Sequence, residues 1–194
     1  LARMLHNNGH SVCVWSALKR EVEEFSATRR HPNLPGMEIP AEISFTEDIE
    51  EICKERDILL FAVPSPFVRS TARLAAPYIP DHQIIVDVAK GIEENTLMTM
   101  TQIIKDEIPQ CEPVALSGPS HAEEVSRGLL TTCVAGSHKK EIAEYVQSVF
   151  MSPAFRVYTS PDVLGIEIGA ALKNVIALAA GIADGYGCGD NTKA

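Results

Sequence analysis

The sequence predicts an α/β fold: a Rossmann-like, mostly parallel sheet with helical crossovers, followed by the start of an all-helical domain. Three observations predict it. Short apolar runs alternate with amphipathic stretches as far as Ser160, the pattern of strands joined by helices. Several of those runs, such as DILLF and QIIVDV, are almost continuously apolar, as strands covered on both faces are. From Asp162 the strand pattern stops and a long Ala/Gly-rich apolar stretch takes over. A boundary near Tyr158 to Asp162 therefore divides the chain into 1–160 and 161–194.

Each element has a local reason. LARMLHNNG places Leu1, Met4 and Leu5 on one helical face and stops at Asn8-Gly9, a good C-terminal signal. The run begins with Leu and reads as the later turns of a helix entered partway. SVCVW is a β-rich run and ALKREVEEF a polar helix, while HPNLPGMEIP is too rich in proline and glycine for regular structure. Thr46 is the expected cap of a helix over DIEEIC. DILLFAVPS reads as a buried strand ending in proline, and Ser65 to Tyr78 as a helix. QIIVDVAKG is the next buried strand, and Thr96 to Ile108 the next helix, closed by Pro109. PVALSGPSHAEEV reads as strand, turn and helix entry; TTCVAG as a strand; KKEIAEYVQSVF as an amphipathic helix; and FRVYTS as the last strand.

Composition narrows the function classes. A formal net charge of -9 argues against non-specific nucleic-acid binding, which needs a basic surface. It leaves room for an anionic small molecule held by local lysines. No apolar stretch reaches membrane-spanning length without interruption; the longest candidate, Leu172 to Ala183, has Lys173 near its start and is about half a span, so no membrane insertion is expected, and no secretory signal is recognised. The cysteines (13, 53, 111, 133 and 188) form no CxxC pair, which suits a reducing compartment. The histidines do not cluster at ligand spacing, and no metal site is expected.

In open α/β sheets ligands bind beyond the carboxyl ends of the strands. Four exits matter: Trp15-Ser16, Val63-Pro64-Ser65, Ala89-Lys90-Gly91 and Ser117-Gly118-Pro119-Ser120. Lys90 is rooted on a strand and followed by a glycine, so its ammonium can meet a phosphate or a carbonyl oxygen; a solvated turn lysine fits equally. Gly118 and Ser120 can cup an oxyanion, but Ser120 with Glu123 also makes a capping box. His121 has no orienting partner. Lys173 lies in GIEIGAALKNVIALAAGIADG, an otherwise apolar context. A lysine buried there acquires a lowered pKa and becomes a proton donor or acceptor; the alternative is a lysine snorkelling at a helix contact. Glu167 is six residues from Lys173, poor spacing for an intrahelical pair.

In order along the chain, NNGHSVCVW, LLFAVPSPFVR, VDVAKGIE, LSGPSHAEEV, GIEIGAALKNVIALAAGIADG and GDNTKA resemble the NAD(P)-dependent glycerol-3-phosphate dehydrogenases, bacterial type. The resemblance covers essentially the whole chain. It implies an oxidoreductase that reversibly reduces dihydroxyacetone phosphate to sn-glycerol 3-phosphate with NAD or NADP as cofactor, feeding glycerophospholipid synthesis. It also implies an NAD(P)-binding domain over 1–160, the start of a helical substrate domain over 161–194, and a cytoplasmic location, and it leaves a homodimer open. The catalytic lysine falls on Lys173 and the substrate-binding residues on Lys90, Gly118 and Ser120. Cofactor contacts fall on Ser16, Ser65, Phe67, Lys90 and Ala122.

The family's glycine-rich loop and first strand precede the segment in hand, and its later substrate-binding segment follows it. The segment alone is therefore expected to be inactive and poorly folded. No acidic residue immediately follows Trp15 to bind a ribose hydroxyl, whereas Lys19 and Arg20 are near enough to meet a 2′-phosphate, so either cofactor fits. The rivals are another two-domain dehydrogenase, acting on a hydroxy acid or sugar acid, and a non-catalytic nucleotide-binding redox sensor. The geometry around Lys173 separates enzyme from sensor: in an enzyme its amine faces the interdomain cleft, in a sensor it can point to solvent; a substrate screen separates the two dehydrogenases.

Overall fold

A computed structural model describes residues 1–193. After α1 (Ala2–Asn7), β1 (Cys13–Trp15) and α2 (Lys19–Thr28) come β2 (Ser44–Thr46), α3 (Ile49–Cys53) and β3 (Ile58–Phe61). Next are α4 (Val68–Ala75), β4 (Ile84–Asp87), α5 (Met100–Glu107), β5 (Glu112–Ser117) and α6 (Ala122–Ser126). The chain continues through β6 (Thr131–Gly136), α7 (Lys140–Phe150), β7 (Phe155–Ser160), α8 (Val163–Gly185) and α9 (Asp190–Lys193).

The α/β architecture read from the sequence holds, with mostly parallel strands and helical crossovers, then helices. The strands form two sheets. β1 and β2 pair in parallel, and a five-stranded sheet runs in the order β3-β4-β5-β6-β7. Within it only β5 and β6 are antiparallel. Ile85 and Val86 show why apolar runs make such a sheet. Adjacent residues of a strand point to opposite faces. Ile85 joins Val68, Ala72, Ile103 and Ile104 of α4 and α5 on one face. Val86 joins Val114, Val157 and the α7 residues Val146 and Phe150 on the other. Each fully buried side chain of this kind contributes about 1.5–3 kcal/mol.

Arg69 of α4 ties that layer together. Its guanidinium donates to Glu93 at 2.7 and 2.8 Å, to Asp106 at 2.6 Å and to Glu107 at 2.7 Å. Glu93 belongs to the segment following Lys90, so the network also fixes the loop leaving β4.

Four local expectations are corrected. The three residues of β2 were too few and too polar to register as a strand. Thr46 therefore ends that strand, and Asp48 caps α3 by accepting from the Glu50 and Glu51 N–H groups. The helix expected from Thr96 begins at Met100, because Leu97 takes a left-handed φ of 59° and the preceding residues close a turn between Glu93 and Met98. Ser120 forms no capping box: α6 starts after His121, and the Ser120 hydroxyl donates to the Gly118 carbonyl at 3.3 Å. Finally, α8 is one continuous helix of 23 residues, long and apolar enough by length and composition to cross a membrane. Lys173 does not interrupt it, contrary to the half-span reading. Core helices of water-soluble proteins meet the same criterion.

α8 meets the sheet at its first two turns. Asp162 accepts from the Gly165 N–H at 2.9 Å. At Gly136, the last residue of β6, a Cβ would lie 2.7 Å from Ile166 Cδ1, so glycine lets the helix approach. Val163 and Glu167 are the buried residues of α8.

Candidate active site

The exits of β4 and β5 lie side by side because the strands are parallel neighbours. Three sequence-predicted residues meet there. Lys90, half-buried, donates from Nζ to the Gly118 carbonyl at 3.0 Å, and Ser120 donates to the same oxygen. Gly118 is required for that closeness: a Cβ would stand 2.4 Å from the Thr132 carbonyl oxygen and 2.9 Å from Cys133 Cα. The loop after β5 thus lies directly on β6.

Lys173 approaches from α8. Its side chain is exposed, which corrects the expectation that an apolar helix would bury it. The apolar residues around it are exposed too, among them Leu172, Val175 and Ile176. Lys173 is nevertheless close enough to act on Lys90. Burial first, and then the positive charge of Lys173, push the Lys90 ammonium below the usual lysine range, with Cys133 opposing. The ion pairs found among the described residues do not include either lysine. Two like charges brought together with no carboxylate between them favour an anionic or electron-rich ligand.

Cys133 lies beneath this cluster. It is 2% exposed; burial raises its thiol pKa, against the Ser120 hydroxyl and Lys90, which lower it. Such a thiol is a packing group rather than a nucleophile. Sequence reasoning passed over it, since a cysteine in an apolar strand carries no spacing signal.

Two carboxyls lie behind the lysines. Asp87, the last residue of β4, is 3% exposed, and its Oδ1 has no hydrogen-bond partner. Burial pushes its pKa up to about 8; the Ala89 N–H opposes this and the nearby Glu167 adds to it. Glu167 does not pair with Lys173. It accepts from Thr99 Oγ1 at 2.7 Å, Thr101 N–H at 2.8 Å and Thr101 Oγ1 at 2.5 Å. A carboxyl inside IIVDV was a readable signal, by the same reasoning that singled out Lys173.

The predicted cofactor residues lie along the strand exits. Ser65 opens the short 3₁₀ turn after β3. It borders the Lys90 loop: a Cβ on Gly91, whose φ is +152°, would lie 2.9 Å from Ser65 Oγ. Phe67 is 58% exposed and offers a free ring face. Ala122 is the exposed first residue of α6. Ser16 stands apart at the end of β1, where its hydroxyl donates to Glu21 at 2.6 Å and accepts the Leu18 N–H at 3.1 Å. Glu21 went unnoticed because it lies five residues beyond Ser16, in the first turn of α2. Lys19 is 4.0 Å from Glu47. Among the described residues no group of acidic, histidine or cysteine side chains could hold a metal ion.

A hydroxyl and an aromatic face along parallel-strand exits, beside a bare glycine at Gly91, suit a dinucleotide. The comparisons agree. The family model described as NAD-dependent glycerol-3-phosphate dehydrogenase N-terminus matches residues 1–143, and its C-terminus counterpart matches residues 162–194. A glycerol-3-phosphate dehydrogenase (NAD(P)+) 2 of Lactobacillus delbrueckii subsp. bulgaricus is 58% identical over 200 residues, covering 100% of this chain and 59% of the relative. One from Agathobacter rectalis is 57% identical over 195 residues, covering 100% of this chain and 58% of the relative. A crystal structure of glycerol-3-phosphate dehydrogenase from Coxiella burnetii superposes with a TM-score of 0.88 at 27% identity, over 100% of this chain and 59% of that one. The chain thus spans less than two thirds of the length of the relatives it matches.

Proposed function

Because the chain belongs to the NAD-dependent glycerol-3-phosphate dehydrogenase family, we propose that the intact protein reversibly reduces dihydroxyacetone phosphate to sn-glycerol 3-phosphate with NADH or NADPH. The observation that carries the reading is the meeting of Lys90, Gly118 and Ser120 at one carbonyl oxygen beyond β4 and β5, with the charge of Lys173 on α8 reaching Lys90. Residues 1–160 hold the dinucleotide in this reading, and residues 161–194 begin the substrate-binding part.

When bound, the nicotinamide supplies the hydride. The protein's residues position the ketone and handle the proton. Lys173 gives a proton from Nζ to the C2 oxygen as it becomes an alkoxide, and takes it back in the reverse direction. That requires one hydrogen bond between the two atoms. Lys90 holds and polarises the substrate; its existing bond to Gly118 fixes the ammonium before the substrate arrives. Gly118 and Ser120 contact the substrate beside it. Ser16, Ser65, Phe67 and Ala122 contact the dinucleotide along the strand exits, with Lys90 shared between the two ligands. A cytoplasmic location and a homodimer complete the reading.

The test is a substrate comparison with the intact protein. Reduced dinucleotide should be consumed with dihydroxyacetone phosphate and scarcely at all with dihydroxyacetone or 2-keto acids, in either cofactor series. A preference for a keto acid would replace this reading with a hydroxy-acid dehydrogenase. Light scattering of the same preparation reads the oligomeric state.

A further inference from the structure

We infer that Glu167 is a positioning residue that, by anchoring α8 to the first turn of α5, fixes the separation of Lys173 from Lys90; this rests on the reading of Lys173 given above. Glu167 is 7% exposed. All three hydrogen bonds to its oxygens come from Thr99 and Thr101. α5 already has its own capping box, Thr99 with Gln102. Glu167 reaches across from another element to take a further first-turn N–H, which has no partner inside its own helix, and to place a carboxyl at the positive end of the helix dipole. The bond set is therefore a link between two elements.

The position of the link matters more than its strength. Glu167 is the last buried residue of α8 before Lys173. Six residues of helix put Lys173 about 9 Å further along the axis. A tilt of about 6° at Glu167 would displace the Lys173 backbone by about 1 Å over that length. Misplacements of that size cost about 100-fold in rate when they spoil a reacting geometry.

The facing element is matched to this arm. Asp87 feels Glu167, and Lys90 feels Lys173. Glu167 and Lys173 of α8 thus act on Asp87 and Lys90 of the β4 exit as two successive pairs.

The test uses the intact protein, with Glu167→Gln, Thr101→Val, Lys173→Ala and the double variant Glu167→Gln/Lys173→Ala. The readouts are kcat, KM for dihydroxyacetone phosphate, NADPH affinity by fluorescence, and thermal melting. Glu167→Gln keeps the shape but turns an amide donor toward donors. It should lower kcat about 100-fold, with NADPH affinity within about twofold and a cooperative melt. Thr101→Val removes one hydroxyl donor and should lower kcat less, in the same direction; it decides the question if Glu167→Gln fails to fold. If Glu167 acts through Lys173, the double variant should be no slower than Lys173→Ala. The inference is overturned if Lys173→Ala abolishes turnover while Glu167→Gln or a folded Thr101→Val leaves kcat intact, or if the two losses multiply. Normal turnover in Lys173→Ala would instead remove the reading of Lys173, and the inference with it.

Discussion

The ammonium of Lys90 lies 3.0 Å from the carbonyl oxygen of Gly118. This single bond joins the exits of two neighbouring strands and sets the floor of the candidate site. A lysine held by backbone before any ligand arrives reorganises little when substrate binds, the condition under which a fixed charge contributes most to a developing negative charge.

Lys90→Met keeps the aliphatic stem and removes the charge. In the intact enzyme it should reduce kcat/KM for dihydroxyacetone phosphate about 100-fold, with the melting temperature little changed. Steady-state kinetics beside a thermal melt check both halves. Unchanged kcat/KM would demote Lys90 to a loop tether.

Gly118→Ala acts on the scaffold instead. The new methyl meets backbone atoms of Thr132 and Cys133, which cannot rotate away as a side-chain tip can. A destabilisation of about 1–3 kcal/mol is expected, read as a lower urea midpoint at constant slope. No shift in midpoint would mean that the β5 exit can move off β6.

Asp87 makes stability depend on pH. Its folded pKa, about 8, lies above the ordinary 3.8. The folded chain then holds a proton that the unfolded chain releases, so stability is full below the unfolded value and falls as pH rises through about 8. Asp87→Asn cannot ionise. Its stability relative to the parent should improve steadily between about pH 5 and pH 8, measured by urea unfolding at each pH. A difference that stays flat across that window would mean that Asp87 is ionised in the fold.

Much of this was legible in the sequence, for physical reasons. DILLF, QIIVDV and TTCVAG are short, apolar and bounded by turn residues, as buried strands are, and the Ala/Gly-rich stretch after Asp162 marked a change of architecture. Lys90, Gly118 and Ser120 were readable because strand exits are where ligands bind, and they do meet at one carbonyl. What escaped depends on distant partners. Asp48 rather than Thr46 caps α3 because a three-residue strand claims Thr46. Leu97 delays the start of α5 by a backbone conformation that its side chain does not announce. The bonds from Glu167 to Thr99 and Thr101 span more than sixty residues, which no local spacing can show. The exposure of Lys173 escaped for the same reason, since burial belongs to neighbours rather than to the helix itself.

The central claim is that Lys173 moves the proton, and single-turnover hydride transfer in Lys173→Ala tests it most directly. Intact variant, preloaded with NADPH and mixed with dihydroxyacetone phosphate, should oxidise the cofactor at least about 1,000-fold more slowly than the parent while binding NADPH with unchanged affinity. Parent-like transfer in that variant would contradict the account.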